Sequence, residues 1–142
     1  MADQRLATCL WFDGGAKDAA EFYCALFPDS HVKRSFMLLG SAFMALNGKE
    51  KNDFTDAVSF QVFTETQSET DRYWSALTAN GGSEMACSWC CDRWGIRWQI
   101  IPRVLMEGLE HADPQVRARV FAAMQEMVKI DHAVIEQAIA GI

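Results

Sequence analysis

The sequence predicts an α+β fold in which one strand–helix module occurs twice and a helical C-terminal extension follows. A faint internal repeat at an offset of 51 residues supports this, because the apolar segment 8–12 (TCLWF) recurs as 59–63 (SFQVF). The helices that follow keep the same spacing, with Phe22-Tyr23 aligned to Tyr73-Trp74. The segment after Pro114 is strongly amphipathic. A module too small to bury its own sheet must pack on its copy, so we expect a ligand groove between the two.

The first module begins with a short strand at residues 7–12, followed by a glycine-containing turn and a helix that ends at Pro28. Two β-like runs between residues 32 and 46 meet at Gly40-Ser41, a pair suited to a hairpin turn. Residues 49–56 are charged and polar without an apolar period. We therefore predict that they form the loop between the modules.

The second module opens at residues 57–64, where apolar and other residues alternate as in a sheet with one buried face. Thr66 and Glu69 predict a capping box for the helix that follows. Two further strands are predicted at 87–91 and 96–101. This alternation predicts that one set of side chains packs on helices, namely Val58, Phe60 and Val62. The other set faces away from the helices and comprises Ser59, Gln61 and Phe63.

The extension is predicted to be helical. Asp113-Pro114 is an N-cap followed by proline at the first helical position, and Asp131 caps a shorter helix. We expect the apolar face of the first of these helices, which carries Val116, Val120 and Met127, to be used in core or dimer packing. The chain is thus predicted to be a single domain, residues 1–142, with module one at 1–48, module two at 57–102 and the extension at 103–142.

Composition excludes several classes of partner. The 142 residues are 50% hydrophobic and carry a formal net charge of -6, so we expect no nucleic acid and no membrane as partners. The sequence after Met1 has no basic segment or long apolar run, which predicts a cytoplasmic protein without a signal peptide. Five cysteines, an odd number, favour reduced thiols over a disulfide framework.

Several segments together carry a family resemblance: 10–14 (LWFDG), 43–48 (FMALNG), 54–60 (FTDAVSF), 92–102 (DRWGIRWQIIP) and the extension from residue 113 to 138. They resemble the PhnB-like, 3-demethylubiquinone methyltransferase-like branch of the glyoxalase, bleomycin-resistance and extradiol-dioxygenase (vicinal oxygen chelate) superfamily. The resemblance implies glyoxalase-like paired βαβββ modules that form a cup, usually within a homodimer. Segment 32–43 is shorter than the usual strand pair of the family, so we expect a truncated or missing strand there.

The resemblance also places the metal-ligand positions of the superfamily, at Thr8, Ala45, Ser59 and Gln99. Alanine has no donor atom, and neutral hydroxyl groups are poor ligands for divalent transition metals, so we predict no metal. His31, His111 and His132 have no ligand spacing and are predicted to be solvated or capping residues. No Gly-x-Gly turn occurs. We therefore predict no cofactor and no S-adenosylmethionine methyltransferase activity.

Cys87-Ser88-Trp89-Cys90 has the spacing of a redox or zinc motif. In an extended strand its two cysteines would face opposite sides, and no helix start follows to lower a thiol pKa. A zinc site would need two further ligands. The pattern favours packed thiols over a reactive cysteine or a zinc site, and the roles of Cys87, Cys90 and Cys91 stay open.

Strand alternation predicts a small-molecule site in the cup, with a few polar groups among aromatic ones. The predicted ligand-binding residues are Thr8, Ser59, Gln61, Phe63, Trp89, Arg97 and Gln99. The alternative is that Arg97 is a solvated residue at the sheet edge and that the shortened first module partly fills the cup.

The sequence therefore favours a metal-free small-molecule binding protein of glyoxalase-like fold, a homodimer that takes a small polar or anionic ligand. One alternative is an enzyme on the same cup, lyase-like or acting on a small acid or quinone, and a second is an interaction scaffold that uses only the dimer surface. No carboxylate or histidine occupies the predicted cup positions, so a general base is missing, which favours binding over catalysis.

Overall fold

A computed structural model describes residues 5–32, 35–48 and 50–142. The chain divides into two compact units, residues 1–53 and 54–142, and the boundary falls within the predicted connecting loop. The described residues form two four-stranded sheets and five helices, of which three follow the last strand. This confirms the predicted α+β class and the helical C-terminal extension. The assignment of both units to one domain stays a prediction.

The first unit is a βαβββ module. Its sheet has the order β1-β4-β3-β2, with β1 parallel to β4 and the other neighbours antiparallel. Its elements are β1 (Thr8–Phe12), α1 (Ala16–Leu26), β2 (His31–Val32), β3 (Phe36–Leu38) and β4 (Ser41–Asn47).

The second unit repeats this topology and adds the extension. The sheet has the order β5-β8-β7-β6, and β5 is parallel to β8. Because α1 and α2 begin 51 residues apart, the helices follow the repeat seen in the sequence. The elements are β5 (Ser59–Thr64), α2 (Gln67–Thr78), β6 (Ser83–Glu84), β7 (Trp89–Cys91), β8 (Arg97–Pro102), α3 (Arg103–Leu109), α4 (Pro114–Gln125) and α5 (His132–Ala140).

The shortened segment of the first unit keeps both of its strands. In the described residues β2 has two residues and β3 has three, so both strands are present and short. Residues 33 and 34, between them, lie outside the described residues. The β3–β4 turn is centred on Leu39 and Gly40, one residue earlier than predicted, because both have the positive φ (49° and 84°) that a two-residue hairpin turn requires.

The predicted cap of α2 is confirmed in part. The Thr66 side chain accepts a hydrogen bond from the Glu69 backbone N–H (3.2 Å), as a capping box requires. The Glu69 carboxylate, however, accepts from the backbone N–H of Glu65 (3.3 Å). The reciprocal half of the box is therefore displaced by one residue.

The three helices of the extension bury a core of their own against β8. Asp113 and Asp131 cap α4 and α5 as predicted, whereas α3 had no separate signal in the sequence. The core consists of Ile101, Leu105, Val116, Val120, Ile130 and Ile135. Val116 and Val120 are thus covered within the chain, which removes them as an apolar face for a dimer partner. In the described part of the chain, no helix has the length and apolar character that a membrane crossing requires.

Candidate functional site

One face of the second sheet carries most of the predicted site residues. Along β8, Trp98 and Ile100 are buried, whereas Arg97 and Gln99 alternate with them and are partly exposed. The strand register pairs Ser59 with Arg97 and Gln61 with Gln99. Paired residues share a face, so these side chains lie together on the side opposite the buried one.

We call this surface the polar face. Its predicted members are Ser59, Gln61, Phe63, Trp89, Arg97 and Gln99, and β7 joins it through the pairing of Trp89 with Gln99. Val58, expected to pack on helices, precedes β5 and is 66% exposed, so that expectation is wrong. On the opposite side, the half-buried Phe60 has its ring centroid 5.5 Å from that of buried Trp98, and Val62 is buried.

Hydrogen bonds join the polar side chains across β5 and β8. Gln99 Nε2 donates to Ser59 Oγ at 2.7 Å, and Gln61 Nε2 donates to Gln99 Oε1 at 3.4 Å. Gln99 therefore holds a fixed orientation between the other two. The Gln61 amide lies at the exposed end of this chain of contacts and can exchange its partner for a ligand atom.

Three hydrogen-bond acceptors hold Arg97 at the end of the polar face where β5 and β8 begin. Its Nε donates to Asp56 Oδ1 at 2.6 Å, and its Nη1 donates to the carbonyl oxygen of Gly95 and to Cys91 Sγ (3.5 Å). The hydrogen bond to Asp56 raises the pKa of Arg97. Only 22% of the Arg97 side chain is exposed, whereas Asp56 is 63% exposed. A ligand anion would therefore meet a guanidinium whose charge is already paired with a movable carboxylate.

Two aromatic side chains frame the polar groups. Phe63 is 39% exposed on β5, and the guanidinium carbon of Arg103 lies 5.5 Å from its ring centroid. Trp89 begins β7 and is half-buried. Aromatic surface beside a few polar groups suits a small ligand with a flat apolar part.

Sequence reasoning missed two residues of this face, Asp56 and Cys91. Cys91 pairs with Arg97 in the β7–β8 register, and burial raises the pKa of its thiol despite the opposing effect of Arg97. Asp56 lies in the loop before β5 and reaches Arg97 across 41 positions of the sequence. The sequence shows that residue 56 is acidic, but it does not show that this carboxylate pairs with Arg97.

Thr8, the remaining predicted site residue, belongs to the first unit. Within its own sheet it alternates with exposed Cys9 and shares a face with buried Leu10 and Phe12. Ser59 lies on the less buried face of its sheet, so the two are not equivalent. The burial patterns of β1 and β5 match at an offset of 52 residues, one more than in the sequence repeat, and a shift of one residue reverses the face.

The residues at the superfamily's metal positions do not fit a divalent transition metal. Thr8 and Ala45 offer one hydroxyl and a methyl group, and Ser59 and Gln99 are hydrogen-bonded to each other. Among residues 5–32, 35–48 and 50–142, no three or more His, Cys, Asp or Glu side chains form a group that could hold a metal.

The histidines and the CxxC segment differ from expectation in two places. His132 is buried, not solvated, and its Nε2 is hydrogen-bonded to Thr70 Oγ1 at 2.8 Å. Cys87 lies in a turn with a φ of 57° instead of in a strand, because β7 begins at Trp89. All five cysteines are free thiols in the structure.

Comparison with known proteins assigns the family. The family model described as 3-demethylubiquinone-9 3-methyltransferase matches residues 4–35 and 32–101. The chain belongs to this family. The 3-demethylubiquinone-9 3-methyltransferase match ends next to α3, so the extension, including the predicted resemblance at 113–138, lies beyond it.

Solved structures agree with this fold. The PhnB protein from Bacillus cereus is 26% identical, with a TM-score of 0.64, and the match covers 70% of this chain and 99% of that one. A glyoxalase/bleomycin resistance protein from Albidiferax ferrireducens T118 is 13% identical, with a TM-score of 0.51 and coverage of 68% and 96%. The glyoxalase-like fold is thus confirmed. No curated protein matches the chain.

Proposed function

We propose that this protein is a metal-free binder of a small polar or anionic molecule and that the polar face of the second sheet is its binding surface. The observation that supports the proposal is the hydrogen-bonded set of Ser59, Gln61 and Gln99, with Arg97 beside it and aromatic Phe63 and Trp89 around it. Such a surface offers donors and acceptors for the polar end of a ligand and ring faces for its apolar end.

Arg97 is the residue that selects the ligand. A ligand carboxylate can replace Asp56 at Nε, since Asp56 is largely exposed and an exposed ion pair contributes little free energy. A neutral amide or hydroxyl ligand would instead leave the Asp56 pair in place and bind to the Gln61 amide. The affinity for an anionic ligand therefore depends on Asp56, whereas the affinity for a neutral ligand does not.

Catalysis on the same face is the alternative, and the geometry supports it less. A nucleophile or general base needs a pKa matched to its task. The Cys91 thiol has a raised pKa and is not prepared for nucleophilic attack near neutral pH, and the Asp56 carboxylate is occupied by its hydrogen bond from Arg97. We expect no methyl transfer either, because the sequence has no Gly-x-Gly turn for S-adenosylmethionine. In this proposal the protein is cytoplasmic, and it is homodimeric, as the resemblance implies.

Benzoate and benzamide are suitable probes, because they share a ring and differ in charge. When either probe is added to the protein, the backbone amide NMR signals of Gln61, Arg97 and Gln99 should shift. Arg97→Ala should weaken benzoate binding by about 1.5 to 3 kcal/mol, the contribution of hydrogen bonds to a charged group.

The control is Arg93→Ala, which removes an arginine of the β7–β8 turn whose guanidinium carbon lies 4.9 Å from the ring centroid of Trp94. It should leave benzoate affinity unchanged. Equal losses in both variants, or probe shifts confined to other surfaces, would contradict the proposed site. Native mass spectrometry and elemental analysis of the purified protein show whether a ligand or metal accompanies the chain.

A further inference from the structure

The turn between β6 and β7 has an unusual backbone for its residues. Cys87 and Ser88 both have positive φ, 57° and 76°, and the backbone N–H of Trp89 donates to the carbonyl of Ala86 at 3.2 Å. This is the pattern of a type I′ turn, which normally requires Asn-Gly or similar pairs at its two central positions. Side chains at both positions disfavour the left-handed region, so the turn alone would not hold this conformation.

Backbone carbonyl groups of the extension accept hydrogen bonds from this turn and stabilise it. The backbone N–H groups of Cys87 and Ser88 donate to the carbonyl oxygens of Met127 and Val128, at 2.9 and 3.0 Å. In an isolated hairpin turn these two amides face water. The Ser88 carbonyl also accepts from the N–H of Ile100 (3.0 Å). Consecutive groups of the turn are therefore bonded to the α4–α5 connection and to β8.

The connection itself is anchored on both sides. Ile130 is fully buried in the core of the extension. Its carbonyl accepts from Gln67 Nε2 (3.2 Å), and Gln67 Oε1 accepts from the N–H of His132 (2.8 Å). The segment that holds the turn is thus fixed to α2 and to the helical core and cannot shift without disturbing them.

We propose that the backbone of Met127 and Val128 is a strap that holds the β6–β7 turn in its left-handed conformation and so positions Trp89 on the polar face. Trp89 directly follows the turn and pairs with Gln99. The strap belongs to the part of the chain beyond the family match, so it is an addition to the shared module. Its effect on a ligand rests on the proposed function, but its effect on the turn does not.

Hydrogen exchange of the folded protein tests the strap directly. The amides of Cys87 and Ser88 should exchange at least about 100-fold more slowly than the same amides in an unstructured peptide, since opening requires the strap to detach. Exchange of both at the unstructured rate would overturn the proposal.

A rescue experiment separates positioning from general destabilisation. Ile130→Ala loosens the anchor and should speed exchange of the Trp89 amide by about tenfold relative to the β8 amides, as local opening does. Adding Ser88→Gly should restore slow exchange at Trp89, because glycine adopts the left-handed region without the strap. Adding Ser88→Ala, which removes the same hydroxyl but keeps the Cβ, should not restore it. Equal behaviour of the two double variants would contradict the strap.

Benzoate affinity of the same variants tests the functional link separately. If the polar face is the site, Ile130→Ala should weaken benzoate binding and Ser88→Gly should recover it. If exchange follows the expected pattern but benzoate binding stays unchanged, the strap stands and Trp89 does not belong to the binding surface; the proposed function itself fails only if Arg97→Ala also leaves benzoate binding unchanged.

Discussion

At the scale of single residues, the pair of Arg97 and Asp56 decides what the polar face can accept. The guanidinium is mostly covered and has its Nε on Asp56 at 2.6 Å, whereas the carboxylate is largely exposed. A covered cation with an exposed counter-ion is a site where an incoming anion can compete. Sequence alternation predicted the orientation of Arg97 but not this competitor, because Asp56 lies in a loop with no periodicity.

Asp56→Asn should therefore raise the affinity for benzoate and leave that for benzamide nearly unchanged. The expected gain is about two- to fivefold, because an exposed ion pair contributes up to about 1 kcal/mol. Titration calorimetry of both probes measures it. Asp53→Asn removes the same charge from an exposed carboxylate that pairs with Lys51 and serves as the control. A loss of benzoate affinity on removing Asp56 would mean that Asp56 supports the ligand instead of competing with it.

Cys90 and Cys91 face opposite sides of β7, and only the Cys90 side is fully buried. Burial, followed by nearby Asp92, raises the pKa of Cys90 to about 12. A folded-state pKa above the unfolded value means that this thiol contributes stability below its ordinary pKa, and the contribution is lost as the pH rises toward about 12.

We expect the free energy of unfolding to fall over that alkaline window, and to fall less steeply in Cys90→Ala than in Cys9→Ala, which changes an exposed thiol. Urea unfolding at several pH values measures both slopes. Identical slopes in the two variants would show that Cys90 does not titrate in this range. At pH 8 a thiol reagent should leave Cys90 unmodified in the folded protein and find all five thiols after unfolding.

At the scale of elements, helix and strand positions followed local signals closely. The caps at Thr66, Asp113 and Asp131 were readable because a short polar side chain before an apolar period has a specific hydrogen bond to make. α3 was missed because its seven residues follow a strand without a cap, and its start depends on packing. The β6–β7 turn was missed because neither Cys87 nor Ser88 favours a positive φ, and both are hydrogen-bonded to a segment some 40 residues away.

The close contact of α3 with α4 provides a test of that packing. A Cβ at Gly108 would lie 2.7 and 2.9 Å from the two methyl groups of Val120. Gly108→Ala should therefore destabilise the protein by about 1 to 3 kcal/mol, which outweighs the gain of about 0.5 to 1 kcal/mol that alanine normally gives within a helix.

Urea unfolding measures the change, with Glu107→Ala on the exposed side of α3 as the control. Adding Val120→Ala should make the combined loss smaller than the sum of the two single losses, because the smaller side chain makes room for the new methyl group. Strict additivity would show that the two residues do not compete for space.

At the scale of the whole molecule, the two copies of the module have the same topology but different surfaces. The less buried face of the first sheet carries apolar Trp11, Met44 and Leu46, which are 41%, 45% and 38% exposed. The corresponding face of the second sheet carries the hydrogen-bonded polar set. The sequence repeat predicted the shared topology, but it aligned Thr8 with Ser59, whereas the burial patterns of the strands match at an offset of 52 residues. A difference of one residue between the strand offset and the helix offset cannot be detected in so weak a repeat.

The strand orders have a consequence for how these sheets could grow. In each sheet one outer strand, β2 or β6, has only two residues, and the other, β1 or β5, has five or six. A two-residue outer strand offers too few unpaired backbone groups to template another chain, which is a recognised protection against aggregation. Added strands, whether from a peptide or from a misfolded copy, would therefore find more unpaired backbone groups along β1 or β5 than along the described residues of β2 or β6.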